Sequence, residues 1–161
     1  MMYASTKTYG HEVGLSACFR QWRAESHCRF LHGYALAVKF VFETTELDVR
    51  NWVVDFGSLK SLKGWLEDTF DHTLLVALDD PMKDELCQLA GLGLARAVVV
   101  PATGCEAFAE LIYGATEVWL KDNGYSPRVR LDSVEVSEHG ANSAIYKGDT
   151  PFNYGSKRKD D

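Results

Sequence analysis

Residues 34–43 read YALAVKFVFE, and their alternation points to the architecture. Leu36, Val38 and Phe40 share one parity, while Ala35, Ala37 and Lys39 share the other. A half-buried strand has this period of two, because successive side chains leave a pleated strand on opposite faces. Working outward, residues 3–13 predict a first strand, and CFRQWRAESHCR (18–29) an irregular polar connection. NWVVDF (51–56) predicts a short strand that is hairpin-paired with 34–43 across TTELDVR. Ser58 is expected to cap a helix on which Leu59, Leu62, Trp65, Leu66 and Phe70 recur at three- and four-residue intervals. DDPMKDELCQLAG (79–91) predicts a second helix, with Asp80 before Pro81 as its start signal. ARAVVVP (95–101) reads as an apolar strand and CEAFAELIYGATEVWLKDNG (105–124) as a long helix. VRLDSVEVSE (129–138) and AIYKG (144–148) predict the last strands, separated by a turn at HGANS. Strands, then helices, then strands imply an α+β fold with mainly antiparallel pairing.

The chain has 161 residues, 46% of them apolar, which suits one domain over 1–150 followed by a polar C-terminal tail, 151–161. A formal net charge of −6 argues against nucleic acid as a main partner, and the basic cluster GSKRKDD reads as part of a solvated tail. No apolar run reaches membrane-spanning length, and MMYASTKTYGHE lacks the apolar centre of a signal peptide. The expectation is a cytoplasmic protein with no membrane partner. Cys18, Cys28, Cys87 and Cys105 fit no zinc-ribbon or disulfide spacing, so they are expected as reduced thiols.

Four short segments carry reactive residue types. Cys28 stands four residues before His32, with His27, Arg29 and Arg23 close in sequence to favour its thiolate; the alternative is a half-buried loop cysteine. Asp71 adjoins His72, a pairing that raises imidazole basicity and fixes its tautomer, or that merely ends a helix. In a regular strand Glu135 and Glu138 have opposite parity, so only one faces inward with Val134 and Val136. A carboxylate at a strand end grips a guanidine-like ring edge through two hydrogen bonds, although a solvated strand end is the plainer reading. Glu106 falls in the first turn of the 105–124 helix, where the helix dipole alone accounts for an acid.

Taken in order, Cys-x-x-x-His-Gly before an apolar strand, WVVDFGSLK, FDHTLL, the Glu106 helix start and VSEHGANSAIYKG resemble the 6-pyruvoyltetrahydropterin synthase family. The likeness spans about residues 8–148 and is greatest to the bacterial 6-carboxytetrahydropterin synthases of the queuosine pathway. The resemblance implies a T-fold, with two main helices on one face of an antiparallel sheet and subunits assembled into an oligomeric barrel, usually a homohexamer, with active sites between them. It implies a lyase that takes 7,8-dihydroneopterin triphosphate and eliminates triphosphate; the queuosine branch also releases acetaldehyde. Cys28 then matches the catalytic cysteine, Asp71 and His72 the assisting pair, Glu138 the pterin anchor and Glu106 a second ring contact, although Gly104 replaces a usual hydroxyl residue. The implied zinc is held by three histidines, of which His32 matches one. Tyr34 stands at a second ligand position, and LSACF brings Cys18 to the third, or Phe19 after a one-residue shift. The expected metal set is accordingly His32, Cys18 and His27, with His11 as a substitute for His27.

Overall fold

The computed structural model describes residues 1–148. The expected tail, 151–161, lies outside the described residues. Seven strands and three α-helices follow in the order β1 (Tyr3–Tyr9), β2 (Leu15–Phe19), β3 (His32–Thr44), α1 (Lys60–Phe70), β4 (Thr73–Ala77), α2 (Lys83–Gly91), β5 (Ala97–Val100), α3 (Cys105–Asp122), β6 (Arg130–His139) and β7 (Asn142–Lys147). They form one sheet in the order β5-β4-β2-β3-β6-β7, with β1 also pairing β3.

β3 organises the sheet. Its first half pairs antiparallel with β2, from Phe19↔His32 to Leu15↔Leu36, and its second half with β1, from Tyr9↔Val38 to Tyr3↔Thr44. Its other edge pairs antiparallel with β6, which in turn forms a hairpin with β7. Beyond β2 the sheet continues in parallel, β2 with β4 and β4 with β5. The pairing is thus mainly antiparallel, as the element order implied, with a parallel extension at one side. Parallel neighbours need a crossover, and α1 and α2 supply it.

The expected parity of β3 holds: Leu36, Val38 and Phe40 are buried together with Phe42. α1 and α3 cover this face. Leu62, Leu66 and Phe70 from α1 meet Phe108, Ala109 and Ile112 from α3 in one core. Phe19, Phe108 and Phe70 connect β2 to both helices by edge-on ring contacts, with centroids 5.0 and 5.4 Å apart. Each such side chain, fully buried, contributes roughly 1.5–3 kcal/mol of transfer free energy. α2 is a third, shorter helix over the opposite face, where Leu89 joins Cys18 and Leu74 in lining a cleft.

Three local expectations are corrected. NWVVDF is not a strand and pairs with nothing in the sheet. Val53 and Val54 are both buried although adjacent, which a strand with alternating faces would not give in a half-buried position. The segment's polar groups are met by side chains instead: Asp48 accepts the Trp52 N–H at 2.9 Å, and Arg128 donates to the Val53 carbonyl at 2.8 Å. Ser58 is not the cap of α1 either. Asp55 begins the 3₁₀ turn Phe56–Leu59 that leads into α1 and accepts the Gly57 N–H at 2.8 Å, while the Ser58 hydroxyl donates to the Asp55 carbonyl at 2.6 Å. Residues 3–13 are a strand only to Tyr9, followed by the 3₁₀ turn His11–Val13 and the separate strand β2.

Candidate active site

The register of β2 against β3 decides which residues can meet. Directly opposed residues in an antiparallel pair share a face. Phe19 and His32 are opposed, as are Ala17 and Tyr34, so Phe19, His32 and Tyr34 look toward α1 and α3. Their rings are in contact: Phe19–His32 at 5.1 Å, His32–Tyr34 at 5.5 Å and edge-on, Phe19–Tyr34 at 6.1 Å. Tyr34 also lies 6.1 Å from the His139 ring at the end of β6.

Glu138 lies at an irregularity of β6, where the pairing with β7 shifts register between Ser137 and His139, and it is close to the start of α3, where the Cys105 thiol hydrogen-bonds to it. Glu135 has the parity opposite to the buried Val134 and Val136 and accepts a 2.7 Å hydrogen bond from the Ser143 hydroxyl on the outer side. Burial, with the Glu138 and Glu106 charges beside it, pushes the Cys105 thiol up to about 12, so it is a neutral hydrogen-bond donor under all ordinary conditions. Burial also raises the Tyr34 phenol, helped by Glu138, Cys28 and Cys105 close by. Glu106 is exposed in the first turn of α3.

Cys28 is half-buried in the 3₁₀ turn His27–Arg29, where Ser26 caps the turn. The two arginines expected to favour its thiolate are engaged elsewhere. Arg23 pairs with Asp79 at 2.9 Å and stacks on Trp22, and Arg29 lies over the Phe30 ring. The polar connection around this turn is not loose. Arg20 makes a two-pronged ion pair with the buried Asp80 at 2.6 and 2.8 Å, and the Thr103 hydroxyl donates to the Arg20 carbonyl at 2.7 Å. Asp80 also accepts the Met82 N–H at 2.8 Å, so it shapes the turn before α2 rather than its first residue.

Sequence reasoning missed Gln21. Gly104 has φ +111°, and a Cβ added there would come within 2.3 Å of Gln21 Nε2. The side-chain amide thus fills the place of the hydroxyl residue expected at 104. The glycine and the polar insertion together were the available signal, and neither meant anything alone.

Asp71 and His72 are side by side after α1, with His72 Nδ1–H donating to Asp71 Oδ1 at 2.8 Å. Asp71 also accepts the Ser16 N–H at 3.2 Å. Burial pushes the Asp71 carboxyl up, but the His72 and Ser16 hydrogen bonds and the nearby Arg96 charge outweigh it, and the net shift is downward. His72 has φ +54°, an uncommon conformation for a non-glycine residue, and its side chain is 84% exposed. Its imidazole presents Nε2 outward. His72 lines a cleft of about 400 Å³ with Ser16, Cys18, Leu74 and Leu89, on the face of the sheet away from Tyr34. Within one chain, then, Tyr34 feels the charges of Cys28 and Glu138, while Asp71 and His72 stand apart, His72 on the other face of the sheet.

The expected zinc ligands do not converge. Cys18 pairs with Gly33, so it leaves the opposite face of the sheet from His32, and burial raises its thiol. The residue that faces His32 is Phe19, fully buried and without a donor atom. Tyr34 completes the set. His27 is exposed on its turn, and His11 donates from Nδ1 to the Ala35 carbonyl at 2.5 Å. His32 alone is poised as a ligand would be, with Nδ1–H donating to the Phe30 carbonyl at 2.7 Å and Nε2 left free. Among the described residues no three His, Cys, Asp or Glu side chains are grouped to hold a metal. The residues present do not fit a three-ligand zinc.

Comparison with known proteins agrees with this architecture. The family model described as 6-pyruvoyl tetrahydropterin synthase matches residues 10–149. The 6-carboxy-5,6,7,8-tetrahydropterin synthase of Aquifex aeolicus (strain VF5) is 28% identical, over 91% of this chain and 99% of its own. The protein of that name from Rickettsia bellii (strain RML369-C) is 35% identical over 57 residues, 35% of this chain and 41% of its own. Among solved structures, an uncharacterized protein from Wolinella succinogenes superposes with a TM-score of 0.72 at 22% identity, covering 91% of this chain and 98% of that one. The 6-pyruvoyl tetrahydropterin synthase of Plasmodium vivax gives 0.64 at 13% identity, covering 91% and 97%. The chain belongs to the 6-pyruvoyl tetrahydropterin synthase family. It has that family's T-fold and is an enzyme of the pterin-synthase lyases.

Proposed function

We propose that the chain is a lyase acting on 7,8-dihydroneopterin triphosphate, which loses triphosphate and, with water, acetaldehyde to leave 6-carboxytetrahydropterin. The observation that carries this reading is the packing of Tyr34 against His32 and against His139, the neighbour of Glu138, at the end of the sheet, with the Glu138 and Cys28 charges both felt by the Tyr34 phenol. The names of the Aquifex and Rickettsia relatives support the choice of product.

Glu138 grips the guanidine-like edge of the pterin ring through two charge-assisted hydrogen bonds, with the Cys105 thiol holding the carboxylate in orientation. Glu106 makes a second ring contact. The triphosphate-bearing side chain then runs toward Cys28, whose sulfur takes and returns a proton at the carbons next to the ring. His72 is the partner acid and base. Asp71 fixes its tautomer by accepting Nδ1–H, which leaves Nε2 to act. Because His72 opens onto the face of the sheet away from Tyr34, whose phenol feels the Cys28 charge, the reaction needs Asp71 and His72 from a neighbouring copy, and the working form is a homo-oligomer with sites between subunits. Its setting is the cytosol; among the described residues no helix is long and apolar enough to cross a membrane.

Cys28→Ala tests the assignment. Turnover should fall at least about 100-fold, the usual worth of a positioned proton carrier, while pterin affinity stays nearly unchanged. A Cys28→Ala enzyme with full turnover would remove the proposed role. Phe19 and Tyr34 at the ligand positions favour one other reading, a T-fold protein that binds a pterin or purine through Glu138 without converting it. Tight pterin binding by a chain that gives no product would support that reading.

A further inference from the structure

A family lyase without a metal-ligand set still needs a group to hold the oxygen of the substrate side chain as charge builds on it. Three side chains converge where such a group would stand. Phe19 offers no polar atom, and His32 has committed Nδ1 to the Phe30 carbonyl. Tyr34 is different: its hydroxyl has no hydrogen-bond partner among the described residues, although the side chain is half-buried. Its ring is fixed from three sides, against Phe19, His32 and His139. Of these neighbours Phe19 is fully buried. A hydroxyl on a ring packed against three others, with no partner of its own among the described residues, is an arrangement that electrostatic catalysis uses, because the dipole is held by the packing when charge develops.

We propose that Tyr34 takes the place of a metal in this chain: its phenol, not a bound cation, donates a hydrogen bond to the side-chain oxygen of the substrate nearest Cys28. The proposal rests on the pterin-lyase reading given above. It accounts for two departures from the family pattern at once, since Phe19 and Tyr34 remove two ligands from the same spot and supply one donor in return. It also gives the histidine that is kept a use without metal. His32 meets the Tyr34 ring edge-on at 5.5 Å and, tied to the backbone through Nδ1, buttresses that ring.

Two measurements test it. The first is independent of turnover: the wild-type chain is titrated with Co²⁺ and its visible absorption followed. No tetrahedral histidine-type bands should appear, and zinc offered in the same way should be lost on dialysis. Uptake of about one Co²⁺ per chain with such bands overturns the proposal. The second compares wild type with Tyr34→Phe, which keeps the ring and removes only the oxygen. Loss of one preorganised donor should lower kcat about 100- to 1000-fold, with KM within about twofold and the melting temperature unchanged. Equal kcat in the two proteins overturns the role of Tyr34. A folded wild-type chain that binds no pterin overturns the functional reading and this role with it, whereas a chain that binds and converts pterin while Tyr34→Phe stays active overturns only the inference.

Discussion

Gly104 shows how much one residue of this chain depends on another far away in sequence. At φ +111° the backbone is in a region that side chains with a Cβ rarely enter, and the space a Cβ would take is filled by the Gln21 amide. Gly104→Ala should cost about 1–3 kcal/mol of stability, read from urea unfolding, because the backbone strain remains even if the flexible amide moves aside. A variant as stable as wild type would mean the conformation is not held as described. Some single-residue features were legible in the sequence. The alternation of Val134 and Val136 against Glu135 was one, with Glu135 held by Ser143, whereas at Glu138 β6 shifts register and parity no longer decides. The identity of the residue facing His32 was not legible. Cys18 and Phe19 are neighbours in LSACF, and only the register Phe19↔His32 separates them. A one-residue slip exchanges the faces of a strand, so the choice between a thiol and a phenyl ring depended on pairing that no local pattern reveals.

At the scale of elements, the long periodic segments were readable and the short ones were not. β3, α1 and α3 carry their period over enough residues to show it. β2 and β4 have five residues each, and β4 is buried at every position, so it has no alternation to display. NWVVDF failed the other way, apolar like a strand yet held by Asp48 and Arg128 side chains. The polar connection between β2 and β3 gains its order from outside itself, through Arg20 and Asp80. Only 1% of the Asp80 side chain is exposed, and its hydrogen bond and charge interaction with Arg20, together with the Met82 N–H, hold the carboxyl below its ordinary 3.8. A carboxyl lowered in the folded state adds stability that is complete above its unfolded value and disappears as pH falls through the folded one. Asp80→Asn should therefore destabilise the protein by about 1.5–3 kcal/mol at pH 7. The gap between variant and wild type should narrow below about pH 4. Urea titrations across this range report both, and a gap independent of pH would contradict the ion pair.

For the whole molecule, the separation of the two groups of reactive residues is the main consequence of the fold. Tyr34, which feels the charges of Cys28 and Glu138, is on the face covered by α1 and α3, and His72 opens onto the other. A sheet between them cannot be crossed by a proton carrier, so the proposed assembly has to bring one chain's His72 to another chain's Cys28. Cys28→Ala and His72→Ala proteins should each be inactive alone and regain part of wild-type turnover when co-expressed, because some mixed sites then hold both intact residues. Failure of the mixture to recover activity, with mixed oligomers shown to form, would place both residues in one chain's site. The sequence carried the family likeness across nearly the whole chain, but it could not show this division, which arises from sheet faces rather than from spacing.

The most direct test of the account is the conversion of 7,8-dihydroneopterin triphosphate by protein stripped with a strong chelator and assayed in its presence, with products separated by chromatography. The account predicts 6-carboxytetrahydropterin and triphosphate at the rate of untreated protein. No product from either preparation would contradict the lyase, and product that appears only when zinc is restored would contradict a site in which Tyr34 replaces the metal.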